Sequence, residues 1–333
     1  MPDRRVVVAV DLGGTSLKAG LLGPGGLHLL ERIPTERERG WEAVIDDVGR
    51  HAARLARLAA TTGLDVVATG VNVPGVVDEV AGIGVSSATF GWHDVAMTDR
   101  LSAVATTPVA LQHDVRAAAC AEAAFGAAAG QPVALFVAIG TGIAATVLVE
   151  GRAVIGATNQ AGEIGQASVV EPADPDGAPV TLEKVSSARA VADRYARRRG
   201  PSDATVDAAG IVRLAAAGDA DALQVWHDAI ATLAVALADA VTVVDPGVIV
   251  VGGGLSRAER ALLDPLAAAM ATRLAYRTVP RLAVAAFGDD AGFVGAALGG
   301  WRAGEGDDVS ALASVLGPSG WPDARAALEA AAS

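Results

Sequence analysis

Cysteine is all but missing from this 333-residue chain, which has only Cys120. One thiol closes no intrachain disulfide and excludes a cysteine-rich zinc cluster, so the cytoplasm is the compartment that suits the sequence. Set in an alanine-rich helical stretch, Cys120 reads as a small buried apolar residue. Long uncharged apolar runs are missing too. No stretch reaches about eighteen apolar residues without a charge, the length a membrane span needs. The patch that follows Arg4 and Arg5 stops at Asp11, too short for the core of a signal peptide. Positive charge is in deficit, 26 Lys and Arg against 38 Asp and Glu, a net charge of −12. That balance repels phosphate-rich and anionic partners at long range, so neither nucleic acid nor a membrane is an expected partner. What is abundant is apolar sequence, 52% of residues, enough for one large core or two ordinary ones.

Residues 6–22, VVVAVDLGGTSLKAGLL, place two apolar runs around D-L-G-G-T, the pattern of a β-hairpin whose turn carries an acid, two glycines and a hydroxyl. It matches neither G-x-G-x-x-G nor G-x-x-x-x-G-K-[ST]. Glycines let backbone N–H groups approach a phosphate, Thr15 and Lys18 add donors, and Asp11 tolerates a phosphate when Mg²⁺ lies between them, through water. The alternative is an ordinary hairpin with a solvated Asp. Residues 132–152, PVALFVAIGTGIAATVLVEGR, repeat the layout of strand, glycine turn and strand. Two such hairpins about 130 residues apart suggest a duplicated unit with two phosphate-sized turns facing one cleft. A third turn, Gly252-Gly253-Gly254, closes the strand DPGVIVV, and α/β proteins bind ligands at such strand ends.

Between these turns, helical spacing runs through Trp41, Val44, Ile45, Val48, Ala52, Leu55 and Leu58, and DVVATGVNVPGVV reads as a buried strand ending at Pro74-Gly75. PVALQHD is a short strand that runs into a helix with Asp114 at its start. Further helices are expected around 186–199 and 221–244, and after the third turn. The last thirty residues read as a short helix or a loose tail. Asp114 is the candidate general base. A hydroxyl is a poor nucleophile, and phosphoryl transfer needs it held in line with a carboxylate that takes its proton. The start of a helix presents that carboxylate and favours its ionised form, although an N-cap Asp is also common there.

The ordered set VAVDLGGTSLKAGLL, VPGVVD, HDVRAAACAE, AIGTGI, AGEIGQ, TLEKVSSARAV and VIVVGGGLSRAERALLDPL, from residue 6 to about 266, resembles the ROK (repressor, open reading frame, kinase) family of sugar kinases. The resemblance implies an α/β fold of the actin-like ATPase (ribonuclease H-like) class. Its two similar domains would flank a central cleft: a small N-terminal domain, 1–117, and a large one, 118–300, with 301–333 as a C-terminal helix or tail packing back on the small domain. It implies ATP and Mg²⁺ as cofactors, and phosphoryl transfer to a hydroxyl, commonly the 6-hydroxyl, of a hexose, amino sugar or cyclitol. ATP would be held by Asp11, Gly13, Gly14, Thr15, Lys18, Thr141, Gly142, Gly253 and Gly254, and the sugar by Gly75, His113, Glu163, Gln166 and Glu183. Relatives are often dimers, so a homodimer is an expectation of the same kind.

The chain departs from the family pattern mainly on the sugar side. His113 and Arg116 replace asparagines, Gln166 replaces a histidine that ligates zinc in most members, and EPADPDGAPVT carries none of the zinc cysteines, so no zinc site is expected. Ala144-Ala145 replaces a glycine pair. His113 and Gln166, each with donor and acceptor capacity, could read a group that glucose lacks. Residues His28, His51, His93 and His227 read as structural, and Arg197-Arg198-Arg199 as a solvated helix end. Two other functions compete. A repressor of the same family would need an N-terminal helix-turn-helix, yet the first phosphate strand starts at residue 6. A catalytically weak sugar-binding regulator would have no need of Asp114 and Asp11.

Overall fold

Strands buried on both faces read as continuous apolar runs, and β1 (Arg5–Leu12) is such a strand, with no exposed surface from Val6 to Val10. The computed structural model describes residues 3–172, 174, 176–200 and 206–331. They form two compact units: one of the residues up to Ala129, Gly156–Asn159 and those from Asp290 onward, the other of Gly130–Ile155 and Gln160–Asp289.

In the first unit β1 is followed by β2 (Ser16–Gly23), β3 (Gly26–Pro34), α1 (Trp41–Thr61) and β4 (Asp65–Val73). A small antiparallel sheet comes next, β5 (Val76–Asp78), β6 (Ile83–Ser86) and β7 (His93–Ala96), then α2 (Met97–Ser102), β8 (Val109–His113) and α3 (Asp114–Phe125). The main sheet has the order β3-β2-β1-β4-β8, antiparallel from β3 to β1 and parallel from β1 to β8. Helix α1 turns Val44, Ile45, Val48, Ala52 and Leu55 onto this sheet, the stripe its spacing predicts.

The second unit opens with β9 (Val133–Ile139), β10 (Ile143–Val149) and β11 (Arg152–Ala153). The short pair β12 (Ser168–Val169) and β13 (Val180–Thr181) follows, then α4 (Glu183–Ser186), α5 (Ala188–Arg199), α6 (Ala208–Ala216), α7 (Ala220–Val244), β14 (Val248–Gly252), α8 (Arg260–Ala271) and β15 (Arg281–Val284). Its sheet, β11-β10-β9-β14-β15, repeats the first: an antiparallel hairpin and edge strand, then parallel pairs β9–β14 and β14–β15. The duplication expected from two glycine-turn hairpins is thus a repeat of strand order. Helix α7 is long and apolar enough to cross a membrane by length and composition alone, but Val225, Trp226, Ile230, Leu233, Leu237 and Val241 make it a core helix of this unit. Pro265 lies inside α8 and cannot donate to the carbonyl four residues back. The indole Nε1 of Trp226 donates to that Ala261 carbonyl instead, at 3.2 Å.

The chain then returns to the first unit as α9 (Ala291–Glu305), α10 (Ala313–Leu316) and α11 (Gly320–Ala331). Helix α9 packs on β1 and β4 and against α3. A Cβ at Gly70 would collide with the Ala296 carbonyl, and one at Gly295 with the Ala117 backbone, so glycine permits this close approach. The compact units divide after Ala129 and after Asp289, because α3 and α9 complete one layer over the first sheet.

Candidate active site

Three parallel strands of the first unit end at one edge, and each delivers a polar residue there. Asp11 ends β1, Asn72 lies opposite it on β4, and His113 closes β8 just before Asp114. Strand ends of an open α/β sheet are where side chains meet a ligand. The β1–β2 turn is pinned from outside. Thr35 donates through Oγ1 to the Gly13 carbonyl (2.8 Å) and through N–H to the Thr15 carbonyl (3.1 Å). Gly13 N–H bonds to Ser16 O at 3.0 Å, and a Cβ at Gly13 would lie 2.8 Å from that same oxygen. Glycine is therefore required there by space.

Asp11 is pushed up to about 6, first by burial and then by Asp114 and Asp290, against the opposing pull of Lys18 and Asn72. Asn72 also donates Nδ2–H to Gly292 O at 2.7 Å, which brings the first turn of α9 against Asp11; a Cβ at Gly292 would collide with the Asp11 carboxylate. Lys18, cross-strand from Asp11, places Nζ 3.4 Å from Asp290 Oδ1. A partly buried carboxylate whose ionised form is disfavoured in this way is suited to Mg²⁺ shared with phosphate oxygens.

Asp114 is the first residue of α3, and the helix cap is His113, not Asp114. His113 Nδ1 accepts from Arg116 N–H at 3.3 Å. Asp114 Oδ1 accepts from Val115 N–H at 2.8 Å, and burial raises the carboxyl to about 6, opposed by that bond and by Arg116. Its side chain keeps 30% of its surface exposed, so it remains reachable. His113 is lowered to about 4, chiefly by burial and then by Arg116, and is neutral at pH 7. With Nδ1 accepting, the proton resides on Nε2, 3.5 Å from Asp114 Oδ1. The cap therefore removes His113's acceptor from any role toward a substrate.

The sequence reading missed the residues that hold this corner. Glu79 Oε1 accepts from His113 N–H (3.0 Å) and Arg116 Nε (2.7 Å). Arg116 also donates to the carbonyls of Val77 (2.9 Å) and Asn159 (3.1 Å). Arg116 is thus a buried clamp of α3, a role signalled in the sequence only by its substitution for asparagine. Gly75, with φ of 112°, turns the chain between β4 and β5, where a Cβ would collide with Ser86 O.

In the second unit Gly140 N–H bonds to Gly142 O (2.9 Å) and Ala188 N–H to Gly140 O (2.9 Å), which closes the Gly140-Thr141-Gly142 turn over the start of α5. The third turn adjoins it, since β14 pairs with β9 and Gly253, with φ of 77°, would place a Cβ 2.6 Å from Ile139 O. Glu183 Oε2 lies 3.0 Å from where a Cβ of Gly142 would be, so this carboxylate abuts the second glycine turn. Residues Glu163 to Gln166 are docked on β10. Gly162 O accepts from Ala145 N–H at 2.7 Å, and Cβ atoms at Gly162 and Gly165 would collide with the Ala145 and Ile143 carbonyls. Gln166 is exposed. Part of the stretch read as lacking zinc ligands, residues 173 and 175, lies outside the described residues.

The sequence profile of the ROK family matches residues 7–299. The chain belongs to the ROK family. Among ROK relatives, a glucokinase of Thermotoga maritima is 30% identical over 89% of this chain and 97% of its own. A ROK hexokinase structure from Thermus thermophilus superposes with a TM-score of 0.75 at 32% identity, covering 89% of this chain and 98% of that one. A ROK glucokinase from Streptomyces griseus, solved with glucose and AMPPNP, has a TM-score of 0.74 at 26% identity, covering 88% and 98%. The fold is accordingly the ROK form of the actin-like ATPase fold.

Proposed function

We propose that this ROK carbohydrate kinase transfers the γ-phosphate of ATP to a hydroxyl, the 6-hydroxyl, of a hexose, amino sugar or cyclitol in the cytoplasm, with Asp114 as general base. One observation carries the reading. A partly buried carboxylate poised at about 6 stands on the first turn of α3 and is close enough to the Asp11 turn to raise the Asp11 carboxyl electrostatically. A group of that basicity is ionised at neutral pH yet basic enough to take a proton as the hydroxyl attacks.

The first-unit turn, Gly13 to Thr15 with Lys18, holds the phosphates. Thr141, Gly142, Gly253 and Gly254 hold the remainder of the nucleotide, and Glu163, Gln166 and Glu183 contact the sugar. Asp11 would hold Mg²⁺ through water, and the bound ion supplies charge neutralisation at the transferring phosphoryl group. His113 places its Nε2 3.5 Å from the Asp114 carboxylate. Its replacement of asparagine, together with Gln166, shifts the pocket toward a substrate other than plain glucose.

The test is ADP release from Mg²⁺-ATP across a panel of hexoses, amino sugars and cyclitols, with Asp114→Asn beside the wild type. Turnover with at least one sugar, lowered at least about a thousandfold by Asp114→Asn, is the expected result. A sugar that binds tightly with no turnover in the wild type would make the chain a sugar-sensing member of the family.

A further inference from the structure

Helix α11 lies beyond residue 299, where the family match ends, and its side chains lead directly to the first phosphate turn. Trp321, 5% exposed, packs against the ring of Phe293 at 6.2 Å between centroids, and a Cβ on Gly20 of β2 would lie only 3.0 Å from that Phe293 ring. One turn further along α11, Arg325 Nε is 3.1 Å from Asp290 Oδ2, and its NH2 is 3.2 Å from Glu329 Oε1. The other oxygen of Asp290 is the one beside Lys18 Nζ, at 3.4 Å. Each Asp290 oxygen thus has its own cation. Side-chain exposure falls along the series from 31% at Arg325 to 14% at Asp290 and 9% at Lys18.

This matters because of where Lys18 points. Its cross-strand neighbour is Asp11, and an ammonium on a flexible stem settles on whichever carboxylate is nearest and best oriented. Asp290 precedes α9 with no side-chain bond to the helix end, so nothing in its own helix fixes its rotamer. The guanidinium of Arg325 holds one oxygen instead and leaves the other beside the Lys18 ammonium, which also acts on Asp11.

We infer that α11 is an integral part of the phosphate site, with Arg325 a positioning residue that orients Asp290 and through it the Lys18 ammonium. The inference rests on the kinase reading for what Lys18 and Asp11 bind, but the placement of Lys18 can be read without nucleotide.

The chain has two lysines, Lys18 and Lys184, and Lys184 is exposed, so limited acetylation with acetic anhydride and peptide mass spectrometry gives a Lys18/Lys184 ratio with its own internal reference. The full chain is compared with Arg325→Gln and Arg325→Lys, and MgADP binding is measured by calorimetry on the same samples. In Arg325→Gln the expected ratio rises at least about threefold and MgADP affinity falls about fivefold, while Arg325→Lys restores both toward wild type. A helix that merely covers the fold would show a lower melting temperature in Arg325→Gln with the ratio and the affinity within about twofold of wild type, and that result overturns the inference. A wild-type chain that binds no MgADP removes the kinase reading, while the acetylation ratio still decides whether Arg325 places Lys18.

Discussion

The Asp114 carboxyl is shifted upward by its own burial, and that shift has opposite consequences for rate and for stability. For the rate, the proposed role of Asp114 as base requires it to be ionised in the free enzyme. The kcat/KM for the sugar is therefore expected to fall about tenfold per pH unit below about 6, with a plateau above it. For stability, the folded chain holds the proton up to about 6, while the unfolded chain releases it near the ordinary 3.8. The folded state's advantage is present below the lower value and lost as pH rises through the upper one. Asp114→Asn removes the charge that causes the loss, so it should stabilise the protein by about 1 kcal/mol at pH 7.5, with the gain shrinking toward pH 4. Chemical denaturation of both proteins at the two pH values checks this, and equal stability at both would show that burial does not strain the ionised carboxylate. The candidate base was legible because a strand ran into a helix at His113-Asp114, but the cap was not, since Asp and His can both accept from a helix amide. Glu79, Asn72 and Asp290 were invisible for another reason. Each acts through a partner distant in sequence, and no local spacing marks it.

Among elements, the segment Gly162 to Gln166, proposed to contact the sugar, shows how backbone packing can hold a loop in place. Its two glycines press on consecutive odd carbonyls of β10, at Ile143 and Ala145, and the Ala145 amide bonds back to Gly162. A methyl group at position 165 has nowhere to go but into the Ile143 carbonyl. Gly165→Ala should therefore lift the segment from β10, raise the sugar KM about tenfold and cost about 2 kcal/mol of stability. Nucleotide affinity should change less than about twofold, because the Gly140–Gly142 turn is closed by its own bonds. Steady-state kinetics and calorimetry separate the two, and a joint loss of sugar and nucleotide binding would show that segment and turn move as one. The hairpins, α1, α5 and α7 were readable because a long periodic stretch outweighs local ambiguity. Helix α6 and the strands β5 to β7 were not, since a few residues carry too little period and depend on the sheet beside them.

At the scale of the whole molecule, the same strand order occurs twice, but only the second unit is close to continuous in the chain. The first needs its last layer from residues some 160 positions after α3, and that dependence is physical. Phe293, Val294, Leu298 and Trp301 of α9 are at most 1% exposed, and the Gly70 and Gly295 contacts leave no room for another helix to substitute at that spacing. The two hairpins displayed the duplication in the sequence, and the family resemblance implied that residues 301–333 pack back on the small domain; that α9 returns with them did not show, because α9 is apolar in a way that fits either unit. Residues 1–129 alone should therefore lack a cooperative melt, since removing α9 exposes that apolar face and opens the close-packed layer above β1 and β4. Joining residues 288–331 to Ala129 through a flexible linker should restore a single cooperative transition, followed by circular dichroism and amide exchange. A cooperative melt from residues 1–129 without α9 would mean that the sheet and α1 suffice as a folding unit, and that α9 serves the site around Asp11 and Asn72 more than the core.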